Sequence, residues 1–146
     1  MHKSFYASGF LYHQSSQKIL LQQIPSLQNL LSQWYLFGES YREGADPKTI
    51  FKNIIYEQLG IKIDKINSVY SYERGNTNQT IFYSEIDNMY DFPAKNERVF
   101  NWFAFKNIPK LHIIEQTKHD IVVSQRVIEA VRRANDPSEH KSAEMA

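Results

Sequence analysis

The sequence predicts a mixed α/β domain, and three observations carry that prediction. Short apolar and aromatic runs of strand length occur in a pair near the N-terminus and again through the middle. Between these groups lies a segment with a helix start, a helix-length body and a glycine stop. A second helical pattern follows the last strand. The 146 residues suit one domain with a real core. Residues 1–134 are assigned to that domain, and the polar segment 135–146 is expected to be disordered.

Taken in order, Ser4–Tyr12 and Lys18–Gln23 read as paired strands joined by the polar turn HQSSQ. Leu27–Gln33 reads as a short helical or irregular connection, and Trp34–Phe37 as a brief strand entering a glycine loop. Asp46-Pro47 marks a helix start, because Asp accepts from free N–H groups and Pro suits the first helical position. That helix should run to Leu59 and stop at Gly60 in a left-handed cap. Lys62–Tyr72, Thr80–Ile86 and Val99–Phe105 read as further strands, with a hairpin-type turn at Gly75-Asn76-Thr77-Asn78. Asp120–Ala134 should be a packed helix with Val123, Val127 and Val131 as its buried stripe.

Composition excludes several classes. Apolar residues are 42% and charged residues 23%, so the chain reads as an ordinary soluble globular protein. Nine Tyr, nine Phe and two Trp predict a ring-packed core. A net charge of +1 gives no basic stripe for DNA, so no DNA partner is expected. The absence of cysteine removes disulfides, thiol nucleophiles and Cys-based zinc sites. The opening MHKSFYASGFLYHQ has no long apolar run, so neither a signal peptide nor a membrane span is expected, and a cytoplasmic location follows. Many strands in an aromatic-rich chain can leave an edge for a homodimer.

The most informative segment is residues 34–61, WYLFGESYREGADPKTIFKNIIYEQLGI. Laid without gaps on G-x5-E-x7-R-E-U-x-E-E-x-G-U (U apolar), it keeps the punctuation and loses most of the acid. SFYASGFLYHQSSQKILLQQ supplies the two strands expected before it, and RVFNWFAFKNIPKL the late strand expected after it. In this order and spacing the chain resembles the Nudix superfamily of MutT-like hydrolases. That resemblance implies an α/β/α sandwich with a mixed sheet. It also implies a cleft for nucleoside diphosphates linked to another group, and Mg2+ or Mn2+ held by helix-end carboxylates.

Position by position, the first signature glycine falls on Glu39, with Gly38 just before it. The early acid becomes Ala45, the arginine Asn53, and the acid beside it Ile54. Of the terminal acidic pair, Glu57 remains and the second is Gln58. Mg2+ favours hard oxygen ligands. One unit charge about 4 Å from a divalent ion contributes roughly 8 kcal/mol of gross attraction at an effective dielectric of about 20. Losing two such ligands lowers affinity by orders of magnitude even after desolvation is subtracted.

The resemblance makes Glu57 the catalytic candidate, Glu57 and Glu97 the metal candidates, and Gly38, Glu39 and Trp102 the substrate-binding candidates. Glu43 is a further loop acid. Each has a plainer reading beside it. Glu57 suits a solvated helix position, and Ile54 with Ile50 suits a widened buried face. Tyr56, Phe100, Trp102 and Phe103 could stack a base or fill the core. His119-Asp120 with a serine could imitate a hydrolase triad, and Arg126, Arg132 and Arg133 suit a solvated face. Two functional classes therefore stand. One is a divergent metal-dependent pyrophosphohydrolase. The other is a non-catalytic module, needing no cofactor, that binds a nucleotide-like small molecule, RNA or protein.

Overall fold

The computed structural model describes residues 3–24 and 33–135. Its strands are β1 (Ser4–His13), β2 (Lys18–Gln23), β3 (Trp34–Tyr35), β4 (Phe37–Tyr41), β5 (Asn67–Arg74), β6 (Thr77–Glu85) and β7 (Val99–Ala104). Helix α1 (Pro47–Leu59) lies between β4 and β5. A 3-10 turn (Phe105–Lys110) and helix α2 (Glu115–Ala134) follow β7.

Strand β1 organises the sheet. It runs parallel to β6 along nearly its whole length, with Ser4 opposite Thr77 and Tyr12 opposite Glu85. On its other edge the partner changes: Phe5–Gly9 pair with β4, whereas Leu11–His13 pair with β2. Strand β2 changes partner in the same way, from β1 to β3, and holds β7 along its far edge. The sheet therefore splits like a V, and Leu36 is where the chain crosses from one arm to the other. The buried amide of Gln22 donates to the Leu36 carbonyl at 3.0 Å, satisfying a group that the crossing takes out of the ladder.

Alternation along β1 builds two cores, as the period of a strand requires. Ala7 and Leu11 face α1, packing with Phe37, Phe51, Ile54, Ile55 and Phe82. Phe10 and Tyr12 face α2 and the 3-10 turn, packing with Tyr83, Phe105, Ile121 and Ile128. This is an α/β/α sandwich around a mixed sheet. Gly9 is required by that closeness: a Cβ there would lie 2.2 Å from the Phe82 carbonyl oxygen and 2.8 Å from the Phe51 ring.

Helix α1 forms as its sequence dictates. Asp46 accepts from Thr49 Oγ1 at 2.9 Å and from the Lys48 amide, Pro47 opens the helix, and Gly60 closes it at φ 74°. Other elements depart from the sequence expectation. Residues 61–66 are not strand; the Ser84 hydroxyl takes the Lys65 carbonyl at 2.7 Å, and pairing starts only at Asn67. The hairpin turn is Gly75-Asn76 alone, and Thr77 and Asn78 already belong to β6.

Gly38 and Glu39 lie within β4 rather than in a loop, because Phe5–Gly9 offer that segment a ladder. Helix α2 starts at Glu115, and its buried stripe is Asp120, Ile121, Ser124 and Ile128. Val123 and Val127 are half-buried, each one position before a buried residue of the stripe, and Val131 is exposed near the end of the helix. The connection expected at Leu27–Gln33 falls almost wholly outside the described residues. Among the described residues, no helix is long and apolar enough to cross a membrane.

Candidate functional site

The C-terminal half of α1 presents the positions that the resemblance marks for metal ligands. Ile54 points into the core, 5% exposed, among Phe51, Ile55 and Ile63. Glu57 is exposed on the outer side of the helix. Gln58 is half-buried, and its Oε1 is a buried acceptor with no partner among the described residues. Such an atom costs about 1–3 kcal/mol in stability.

A tight turn abuts this end of the helix. Lys95 and Arg98 exchange backbone hydrogen bonds at 3.1 and 2.9 Å across Asn96 and Glu97, whose φ angles are 51° and 65°. Both central residues are thus left-handed, as a two-residue hairpin turn demands. Glu97 is exposed within that turn. Lys95 Nζ donates to the Glu57 carbonyl, fastening the turn to the last turn of α1. From the other end of the turn, Arg98 Nη1 donates to Gln22 Oε1 at 2.8 Å. Gln22 therefore ties the guanidinium to Leu36, where the sheet splits.

On the α2 side of the split lies a cavity of about 180 Å3. Its walls include Tyr6 and Ser8 of β1, Tyr35 and Leu36 at the crossing, Arg74 and Gln79 from the β5–β6 hairpin, and Asp120. Gly38 gives the Tyr6 ring its place: a Cβ at Gly38 would meet that ring at 2.6 Å and Ser8 Cβ at 2.9 Å. Burial raises the Tyr6 phenol pKa, the Glu39 carboxylate adds to the rise, and the Arg98 guanidinium opposes it. Charges from the two sides of the split thus meet at one ring.

Asp120 is the chemical centre of the α2 wall, at 3% exposure. It accepts from Tyr70 at 2.5 Å, Tyr72 at 3.1 Å and Gln116 Nε2 at 3.1 Å. Three donors make a carboxylate tolerable in that position. The tyrosines record the cost. Burial, then the Asp120 hydrogen bond and charge, push the Tyr70 phenol far up; burial and the same carboxylate push Tyr72 up to about 12. The Tyr72 hydroxyl also lies 3.1 Å from Gln79 Oε1, so its single hydrogen is shared between the carboxylate and the opposite wall.

The sequence-derived candidates separate on this frame. Gly38 lies at the cavity, with Glu39 beside it, exposed and paired with Ala7 on the α1 side. Glu57 and Glu97 lie at the α1 end, and Lys95 links their two elements. Trp102 packs against the α1 core, and its indole N–H donates to the Tyr90 carbonyl at 3.0 Å. Phe100 and Phe103 likewise pack in the two cores. His119 is exposed while Asp120 is buried, as neighbours on a helix point apart, so that pair assembles no triad.

The resemblance implies Mg2+ or Mn2+ at the box. Among the described residues, no three of His, Cys, Asp and Glu are grouped to hold a metal ion. Ile54 offers no ligand, and Gln58 offers a neutral amide oxygen. This donor set does not fit a divalent ion held in the family manner.

Sequence reasoning missed Asp120 with its two tyrosines, and the Gln22–Arg98 pair. The signals were present in weak form: Tyr70 and Tyr72 alternate along one strand face, and Gln22 ends an apolar strand with its side chain inward.

No protein-family model matches the chain, and no curated protein matches it in sequence. Solved structures do match. A mutT/nudix family protein from Listeria innocua superposes with a TM-score of 0.72 at 10% identity, over 89% of this chain and 96% of that one. A MutT from work on the Aliivibrio salmonicida and Vibrio cholerae proteins gives 0.70 at 12% identity, over 88% and 99%. The NUDIX domain of Shewanella oneidensis NrtR, complexed with ADP ribose, gives 0.68 at 14% identity, over 88% and 90%. With that likeness and the sandwich around a split mixed sheet, this chain is a Nudix-fold protein.

Proposed function

We propose that this chain is a binding module for a nucleotide-like small molecule, derived from the Nudix hydrolases and lacking their metal-dependent hydrolysis. The observation that carries this reading is the contrast between the C-terminal end of α1 and the cavity on the α2 side of the split. The α1 end has Ile54 sunk in the core and, among the described residues, an unpartnered amide oxygen at Gln58. The cavity end keeps rings, hydroxyls, an amide and a positioned carboxylate, the mixture a small polar aromatic ligand needs. The ADP ribose in the Shewanella domain supports a nucleoside diphosphate derivative as the ligand class.

The test combines thermal unfolding with a turnover assay on ADP-ribose and related nucleoside diphosphate derivatives. A ligand at a hundred times its Kd stabilises by about 2.7 kcal/mol, a rise of roughly 8 °C. We expect such a rise in EDTA, with no product formed in Mg2+ or Mn2+. Turnover that needs Mn2+ and falls on Glu57→Gln or Glu97→Gln would replace this reading with a divergent pyrophosphohydrolase using a relocated metal site.

A further inference from the structure

We infer that Arg98, held by Gln22 at the split of the sheet, binds the anionic group of the ligand directly, with no divalent ion between them. The inference deepens the proposed function and rests on it. Arg98 is half-buried and uses one nitrogen on Gln22 Oε1, which leaves guanidinium donors for an anion. Gln22 is itself 3% exposed and anchored to the Leu36 carbonyl, so the guanidinium is fixed from behind. Fixing a cation in advance lowers the ordering cost of binding.

The backbone that carries Arg98 is also unusual. Asn96 and Glu97 both adopt left-handed conformations, and a glutamate there is strained. Lys95 locks that turn to the end of α1. The chain thus maintains a strained turn whose last residue is a half-buried arginine. Among the described residues, Arg98 forms no ion pair. An arginine with no carboxylate partner among the described residues, fixed at the split, suits a phosphate, which accepts bidentate guanidinium contacts.

The test is calorimetric titration of the whole protein with ADP, inorganic pyrophosphate and adenosine, each in EDTA and in Mg2+. We expect ADP and pyrophosphate to bind equally well in both buffers, with affinity falling as salt rises. Arg98→Gln should weaken ADP and pyrophosphate at least tenfold and leave adenosine unchanged, which separates a lost contact from a lost fold. Arg98→Lys should recover part of the loss, since it restores charge without the planar fork. If Arg98→Gln leaves ADP and pyrophosphate unaffected, the inference fails while the binding reading stands; if ADP binds only with Mg2+, the inference fails together with the metal-free part of that reading. If ADP, pyrophosphate and ADP-ribose all fail to bind at millimolar concentration, both fail.

Discussion

Replacing Ile54 by glutamate would restore the acid that the Nudix signature carries at that position, and it should destabilise this chain severely. Ile54 is 5% exposed and packs with Phe51, Ile55 and Ile63 beneath the sheet. Losing a fully buried isoleucine costs about 2 kcal/mol of apolar burial. A carboxylate left there without a designed partner adds roughly another 2 kcal/mol. The sum, about 4 kcal/mol, is a large part of the 5–15 kcal/mol that holds a typical domain together. It corresponds to a fall in melting temperature of roughly 12 °C.

The loss should depend on pH with a defined sign. Burial raises the pKa of the new carboxylate in the folded state, so the folded chain holds its proton longer than the unfolded chain does. Ile54→Glu should therefore approach wild-type stability most closely below the ordinary glutamate pKa, and the deficit should grow as pH rises above it. Urea unfolding at acid and neutral pH measures both quantities. Adding Gln58→Glu and then Mg2+ should recover stability, because the paired acids would gain a cation to share. An Ile54→Glu protein within about 0.5 kcal/mol of wild type at neutral pH would refute the reasoning. The helix face would then be open to solvent, and the metal end would not be closed by apolar packing.

Other expectations follow from single contacts. Gly9→Ala sets a methyl group 2.2 Å from the Phe82 carbonyl of β6 and 2.8 Å from the Phe51 ring of α1, so both the neighbouring strand and the helix must shift; a loss of about 3 kcal/mol is expected in chemical unfolding. Gly38→Ala should displace the Tyr6 ring and strain the β1–β4 pairing at Ser8, so the melting temperature should fall by a few degrees and ADP-ribose affinity measured by calorimetry at least tenfold. Asp120→Asn removes the charged acceptor of three donors and should cost about 2 kcal/mol. It should also bring the Tyr72 phenol down from about 12 toward its ordinary value, read by ultraviolet titration of phenolate. Because the Tyr72 pKa is raised on folding, its contribution is complete below the free tyrosine value of 10.0; stability should fall as pH climbs from there toward about 12.

Helix α1 was readable residue by residue, because its signals are local. Asp46, Pro47 and Gly60 act on the backbone within one turn of themselves, and the helix observed between them needs no distant partner. The first strand pair was equally plain, since two apolar, aromatic runs and a polar turn define it. The end of α1 was half readable. The signature showed which acids are missing, but only packing shows that Ile54 closes the position and that Gln58 keeps an unsatisfied oxygen. The α2 stripe was misplaced by a residue, because Asp120 looks like a surface residue until Tyr70 and Tyr72 are brought against it.

The sequence by itself determined the first strand pair, the span and caps of α1 and the depletion of acid along it, because each depends on neighbours a few residues apart. The tertiary structure decided the split of the sheet, the cavity beside it and the partners of Asp120 and Arg98. Those depend on contacts between residues 48, 50 and 76 positions apart, and no local pattern encodes which distant side chain completes a buried charge.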